Sequence, residues 1–390
     1  MTKIQNLSPL NLAVGGMLAL VAAMGIGRFV YTPILPMMVQ EIGLSASQAG
    51  MIASSNFFGY MLGALVAATS VLKGSRRKWL LAALIASAVT TILMTWTDGY
   101  VQFLLVRFTG GLVSAWVLVF ASALVIERLA AAGRGELTAV LFAGVGVGIF
   151  IASLLTTLAA ITGGGWRTAW LYNGILGLVL VIAVSYLVPN IESSETATTA
   201  NTSSSGNRRP IKRLLAAYGL FGFGYVITAT FIVQLVRSAN YSLIVETWIW
   251  VLVGLSAVPS IWFWNKIASK LGTTKTFAIA CFLEALGVGA SVLVVNLGGL
   301  VFASILLGGT FMGITALGLV EARARSTHDP RQTLAMMTAA FGLGQILGPG
   351  IAGYMRDASG SFLLPTLLAS SALVLAAILV QSRPPITNSQ

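Results

Sequence analysis

The chain has 390 residues, of which 57% are apolar and only 9% are charged. A soluble globular domain carries about 25% charged residues, so this chain has too few ionic groups to coat a water-facing surface. A formal net charge of +12 would suggest a nucleic-acid partner in a soluble protein, but here the basic residues stand in short stretches between long apolar runs, which points to the lipid bilayer as partner and not to nucleic acid.

A helix crossing the hydrocarbon core needs roughly 20 apolar residues. Runs of that kind predict twelve spans, at 12–38, 47–71, 79–97, 100–126, 136–160, 167–188, 213–236, 246–266, 276–296, 299–321, 332–355 and 362–381. They are too long and too evenly apolar for barrel strands, so helices must satisfy the backbone. The first run continues past residue 30 without a small-residue cleavage site, which reads as a retained helix rather than a signal peptide. It holds Arg28 and Tyr31 and ends in Gly27, Pro33 and Pro36. Asn56 lies in span two, and a basic loop, Lys73, Arg76, Arg77 and Lys78, follows it. Span four carries Arg107 and Gly111. The stretch 189–212 is polar and rich in Ser and Thr, cannot bury apolar surface, and reads as a cytoplasmic linker. It divides the chain into halves at 1–188 and 213–390. Tyr225 lies in span seven, the single cysteine Cys281 and Glu284 in span nine, and Gly344, Gln345, Gly348 and Pro349 in span eleven.

With both termini on the cytoplasmic side, 18 of the 23 Lys and Arg residues fall in cytoplasmic segments and only Arg167, Arg237 and Arg356 in the opposite loops. The halves echo each other. GIGRFVYT at 25–32 aligns with GFGYVITA at 222–229, an offset of 197, and Lys73 and Lys78 match Lys270 and Lys275 at the same offset. Gly110 and Gly111 match Gly308 and Gly309, and Gly144 and Gly146 match Gly342 and Gly344, at 198.

The Gly27 to Pro36 segment resembles the first-helix motif of twelve-span facilitator exporters. Arg107 with Gly111 resembles their fourth-helix Arg-x-x-x-Gly motif. Gly344-QIL-Gly348-Pro349 looks like their Gly-x-x-x-Gly-Pro motif moved to span eleven. KGSRRK at 73–78 is a degenerate form of the family's basic loop, with Leu72 in place of the acid. Together GRFVYTPILPMM, RFTGG and GQILGPGIAGYMRDASGSF resemble the YbfB/YjiJ-like branch of the major facilitator superfamily. The resemblance covers nearly the whole chain. It implies an all-α polytopic membrane protein of the major facilitator fold, with twelve transmembrane helices in two six-helix pseudo-symmetric bundles. The expected location is a bacterial inner membrane.

A charge at the bilayer centre costs at least about 2.5–3.5 kcal/mol on insertion scales, so intramembrane charges face the bundle interior or a wet cavity. Arg28 and Arg107 each fall roughly 10–15 Å below the periplasmic face at 1.5 Å per residue. In the fold implied by the resemblance, helices one and four line the central cavity, so the two arginines are expected to share it. Their counterparts in the second half are Tyr225 and Ile305, so the repeat itself does not require the charges. The competing reading is that each arginine caps carbonyls or snorkels. Glu284 is the proton-coupling candidate, or else a protonated packing residue. The expected substrate-binding set is Arg28, Arg107, Tyr31, Asn56, Tyr225 and Gln345. Gly27, Pro33, Pro36, Gly111, Gly344, Gly348 and Pro349 are expected to serve gating or close helix packing.

Catalysis has no sequence support. His328 stands beside Asp329 without a second histidine or thiol, so neither a metal nor a nucleophile site is expected. Gly25-x-Gly27 opens no strand–turn–helix unit, there is no P-loop, and no cofactor is expected. The expectation is a monomeric secondary transporter that moves a small organic molecule by proton-coupled efflux, with the two arginines favouring an anion. A proton symporter importing a metabolite is the first alternative, and a non-transporting membrane receptor or scaffold the second.

Overall fold

A computed structural model describes residues 8–69, 71–189, 211–294, 296–326 and 330–381. Most of the expected linker, and His328 with Asp329, lie outside the described residues. Ile211 and Lys212, assigned to the linker from sequence, already belong to a helix.

The described residues are almost entirely helical, with no strand among them. The first half contains α1 Pro9–Leu20, α2 Tyr31–Ile42, α3 Ala46–Ala67, α4 Arg76–Leu93, α5 Tyr100–Ala131, α6 Thr138–Ile161 and α7 Gly165–Leu187. The second contains α8 Ile211–Ser238, α9 Leu243–Ala257, α10 Ser260–Leu271, α11 Thr273–Leu293, α12 Leu297–Arg325, α13 Pro330–Ser359 and α14 Leu363–Gln381. Eleven helical stretches are long and apolar enough to cross a membrane, and α9 with α10 makes a twelfth when the pair is taken as one span bent by 45°.

Local sequence explains the starts. Ser45 accepts from the Gln48 amide while the Gln48 side chain returns to Ser45 N, a reciprocal cap on α3. Asn296 caps α12 through Gly299 N at 3.0 Å. Two expected spans are not continuous. Span eight, expected as 246–266, bends between α9 and α10 at Pro259, which has no N–H to offer the preceding turn. Span one passes from α1 into a π-helical turn, Val21–Ile26, then into turns through Val30 before α2 resumes. Gly25 and Gly27 favour the helix weakly, and Pro33 and Pro36 each withhold a donor from the turn before them.

The basic loops gather at one face. Arg76 forks onto Glu127 at 2.9 and 3.0 Å, and Arg77 donates to Ser185 O and Val188 O, both at 2.6 Å. At the opposite face the halves are tied together. The Asp357 carboxylate of α13 accepts from Ala46 N at 3.1 Å, Ser47 N at 2.8 Å and Ser47 Oγ at 2.6 Å, at the start of α3. Thr32 donates to Ala229 O at 2.7 Å, and Arg237, forked onto Glu246, reaches Gln40 at 3.3 Å. Close backbone approaches run between the halves at α3–α13 and at α6–α9. A methyl added at Gly50 would lie 2.1 Å from Pro349 O, and one added at Gly146 would lie 2.5 Å from Gly254 O. At the basic face the halves diverge instead, leaving a cleft of about 420 Å³ between Gly135, Glu136 and Ala139 on one side and Trp262, Asn265 and Lys266 on the other.

Candidate functional site

The break in span one creates the site. In a regular helix the carbonyl of Arg28 would receive the amide of Thr32, but that amide bonds Phe29 O at 3.3 Å. Arg107 of α5 supplies donors in place of the lost ladder, with Nη1 to Gly27 O at 2.9 Å and Nη2 to Arg28 O at 3.0 Å. The Arg107 side chain is 4% exposed, and Tyr31 and Trp170 present their rings to it at 5.3 and 5.5 Å. Asn56 Nδ2 in turn holds Arg107 O at 2.8 Å, and Tyr31 OH donates to Ala49 O at 3.0 Å. The planar fork of arginine suits this double capping, which a single ammonium could not copy.

With the break fixed, Arg28 points across the interface. Its Nη2 donates to Gln345 Oε1 of α13 at 3.0 Å, and Gln345 Nε2 donates to the Tyr225 hydroxyl of α8. Its guanidinium lies over Tyr60 at 4.0 Å, Phe57 at 4.8 Å and Phe29 at 5.5 Å. Among the described residues no carboxylate lies within ion-pair distance of Arg28 or Arg107. Arg28 is 5% exposed, and its Nε has no acceptor. A buried arginine held by ring faces and one amide is worth about 2 kcal/mol or more in cation–π attraction, yet its charge stays unneutralised.

Beyond Arg28 the second half presents a stack of rings. Tyr225 lies between Phe311 and Phe341, 5.8 Å from each, with interplanar angles of 9° and 5°. Phe29 meets Phe311 edge-on at 5.9 Å. Phe29, Tyr225 and Phe311 share with Trp250 and Ile149 a narrow cavity of only about 10 Å³.

The structure thus brings Arg28, Gln345 and Tyr225 into one chain of contacts from both halves, with Arg107, Tyr31 and Asn56 behind it in the first half. Arg107 and Tyr31 turn to backbone carbonyls of the first half, although Arg107 Nε, like Arg28 Nε, has no acceptor. Glu284 lies apart, midway along α11, fully buried and with neither carboxyl oxygen hydrogen-bonded. The neighbouring Thr310 hydroxyl spends its proton on Leu306 O at 2.6 Å. The expected glycines pack helices within a half: an added methyl would meet Ser87 Oγ at 2.6 Å from Gly27, Asn56 O at 1.9 Å from Gly111, Gly219 O at 2.1 Å from Gly344 and Val226 Cγ1 at 2.7 Å from Gly348. Pro36 and Pro349 sit inside α2 and α13, and Pro33 lies near the start of α2. Sequence reasoning does not single out Phe29, Phe57, Phe311 or Phe341. Nor does it single out Asp357, although that residue stands within the YMRDASG segment.

The profile of the family described as "Uncharacterised MFS-type transporter YbfB" matches residues 20–381. The chain is 26% identical over 351 residues to the uncharacterised MFS-type transporter YceJ of Bacillus subtilis, covering 87% of each. A shorter match, 28% identical over 174 residues, joins 42% of this chain to 36% of the benzoate transport protein of Acinetobacter baylyi. Among solved structures, a D-xylose-proton symporter superposes with a TM-score of 0.71 at 17% identity, covering 98% of each chain, which is a likeness of fold. The nucleoside transporter NupG superposes with a TM-score of 0.69, also at 17% identity, covering 96% of this chain and 98% of that one. The chain is therefore a member of the YbfB family of the major facilitator superfamily, a membrane transporter built from two six-helix halves.

Proposed function

We propose that this transporter exports a small organic anion by alternating access, driven by the proton gradient, with its basic face and both termini in the cytoplasm. The observation that carries the reading is Arg28. It is a buried cation with no acid partner among the described residues, and it reaches across the interface to Gln345. A charge in that position attracts an anion and is conspicuous where charges are costly. An incoming carboxylate accepts from Arg28 more strongly than the neutral Gln345 amide does, because it brings a full opposite charge and can take two parallel N–H bonds from the guanidinium. Substrate binding therefore competes with a tie between the halves, which is how occupancy biases a two-state transporter. The partial relative named for benzoate transport moves a carboxylate, in keeping with this class. Efflux is supported by the exporter-like segments around Gly27, Arg107 and Gly348, and proton coupling by the unpaired Glu284.

The test is reconstitution in liposomes with an imposed pH gradient and labelled organic anions. Arg28→Ala is expected to abolish anion movement while Arg28→Lys retains part of it. Unchanged anion transport by Arg28→Ala would overturn the anion role. Accumulation in intact cells, rather than loss from preloaded cells, would identify import by symport instead. Binding without movement across the liposome membrane would identify a receptor or scaffold.

A further inference from the structure

We propose that the narrow cavity beside Arg28 is a ring subsite, so that the transported anion is a flat, one-ring aromatic carboxylate; this rests on reading Arg28 as the anion site. Phe29 and Tyr225 join the two regions. Phe29 touches the Arg28 guanidinium and lines the cavity, while Tyr225 is bonded to the Gln345 that holds Arg28 and lines the same cavity.

The walls select shape. Tyr225 and Phe311 line the cavity with their planes 9° apart, and Phe29 lines it edge-on to Phe311, so the lining offers a parallel pair of ring faces with a third ring set across them. Aromatic pairs prefer offset stacking or edge-to-face contact, and one further flat ring extends such a set. A puckered ring of the same carbon count meets those faces with axial hydrogens and loses the stacking contribution.

The polar inventory selects chemistry. Trp250 lines the cavity and is 1% exposed, yet its indole N–H has no acceptor. Buried indole N–H groups ordinarily find one. Arg28 Nε is likewise a donor without an acceptor. The deficit beside the cavity is therefore in acceptors, and it is contributed from both halves. A carboxylate supplies an acceptor to Arg28, and a second oxygen on the ring, a hydroxyl or ether, would supply one to Trp250.

The size follows from the closed state. A dry cavity of about 150 Å³ holds a benzene ring, against the present volume of about 10 Å³. Phe29 and Ile149 come from the first half and Tyr225, Trp250 and Phe311 from the second, so the ring can enter only when the halves part. The subsite is thereby built into the alternation itself.

Binding of phenylacetate, cyclohexylacetate, hexanoate and phenethylamine to the purified full-length protein, measured by calorimetry, tests the assignment. Phenylacetate is expected to bind about tenfold more tightly than cyclohexylacetate, the worth of one stacking arrangement. That ratio is expected to collapse in Phe311→Leu while cyclohexylacetate binding persists. 4-Hydroxyphenylacetate is expected to bind more tightly than phenylacetate in the wild type, with the margin lost in Trp250→Phe. Equal affinity for phenylacetate and cyclohexylacetate would overturn the ring subsite and leave the anion site standing. Binding of phenethylamine alone would overturn both, and failure of phenylacetate to bind at millimolar concentration would overturn the subsite.

Discussion

Gly50→Ala tests whether the α3–α13 seam is a moving surface. The added methyl would lie 2.1 Å from Pro349 O, 2.7 Å from Pro349 C and 3.3 Å from Gly350 Cα. The first of these is about 1 Å inside van der Waals contact, and its target is backbone, which cannot swing aside. Overpacking of this kind costs about 1–3 kcal/mol in a fixed interior. At a seam between halves the cost falls on the closed state alone, because separation of α3 from α13 relieves it. A bias of that size moves a two-state equilibrium about 5- to 150-fold. The readout is labelling of Ala229→Cys, which lines the cavity between the halves and is 6% exposed, by a membrane-impermeant maleimide from the face opposite the basic loops. The native background is silent, because Cys281 is the single cysteine and is buried. Gly59→Ala is the control: its methyl would lie 1.9 Å from Phe108 O, within the first half, so it is expected to lower the melting temperature without changing labelling. If Gly50→Ala behaves like that control, with melting lowered and labelling unchanged, the seam does not open.

Asp357→Ala removes the acceptor for three donors at the start of α3, a capping loss of about 0.5–2 kcal/mol that again falls on the closed state, so the same reporter is expected to label faster. Arg107→Lys cannot fork onto Gly27 O and Arg28 O. It is expected to cost about 1–3 kcal/mol for each carbonyl left unmade, read as a lower melting temperature and as faster hydrogen exchange confined to residues 25–32. Glu284→Gln replaces an unpaired buried acid with a neutral isostere and is expected to leave melting unchanged or raised, abolish transport driven by a pH gradient and preserve anion exchange. Retained gradient-driven transport would remove Glu284 from the coupling step.

The membrane architecture is legible in the sequence because one requirement dominates it: each crossing needs a long apolar run, and lipid leaves the backbone no partner but its own helix. What that requirement does not reach is where a crossing breaks. Gly25, Gly27, Pro33 and Pro36 are all visible in span one, yet a run that is apolar throughout looks the same whether the helix is continuous or interrupted. The role of Arg107 is hidden for a related reason. Its partners are the carbonyls of Gly27 and Arg28, and a backbone carbonyl carries no mark in the sequence. Arg28 is identifiable as a charge out of place, but its link to Gln345 depends on which face of α13 meets the first half. Glycine spacing cannot decide that. Gly344 and Gly348 pack on α8 in their own half, while Gly350 and Gly353, a fraction of a turn around the same helix, meet α3 across the interface. Each residue advances the helix by about 100°, so one glycine-rich stretch can serve an internal contact and a moving one together. Only the assembled halves distinguish the glycines that hold a bundle together from those at the seam between bundles.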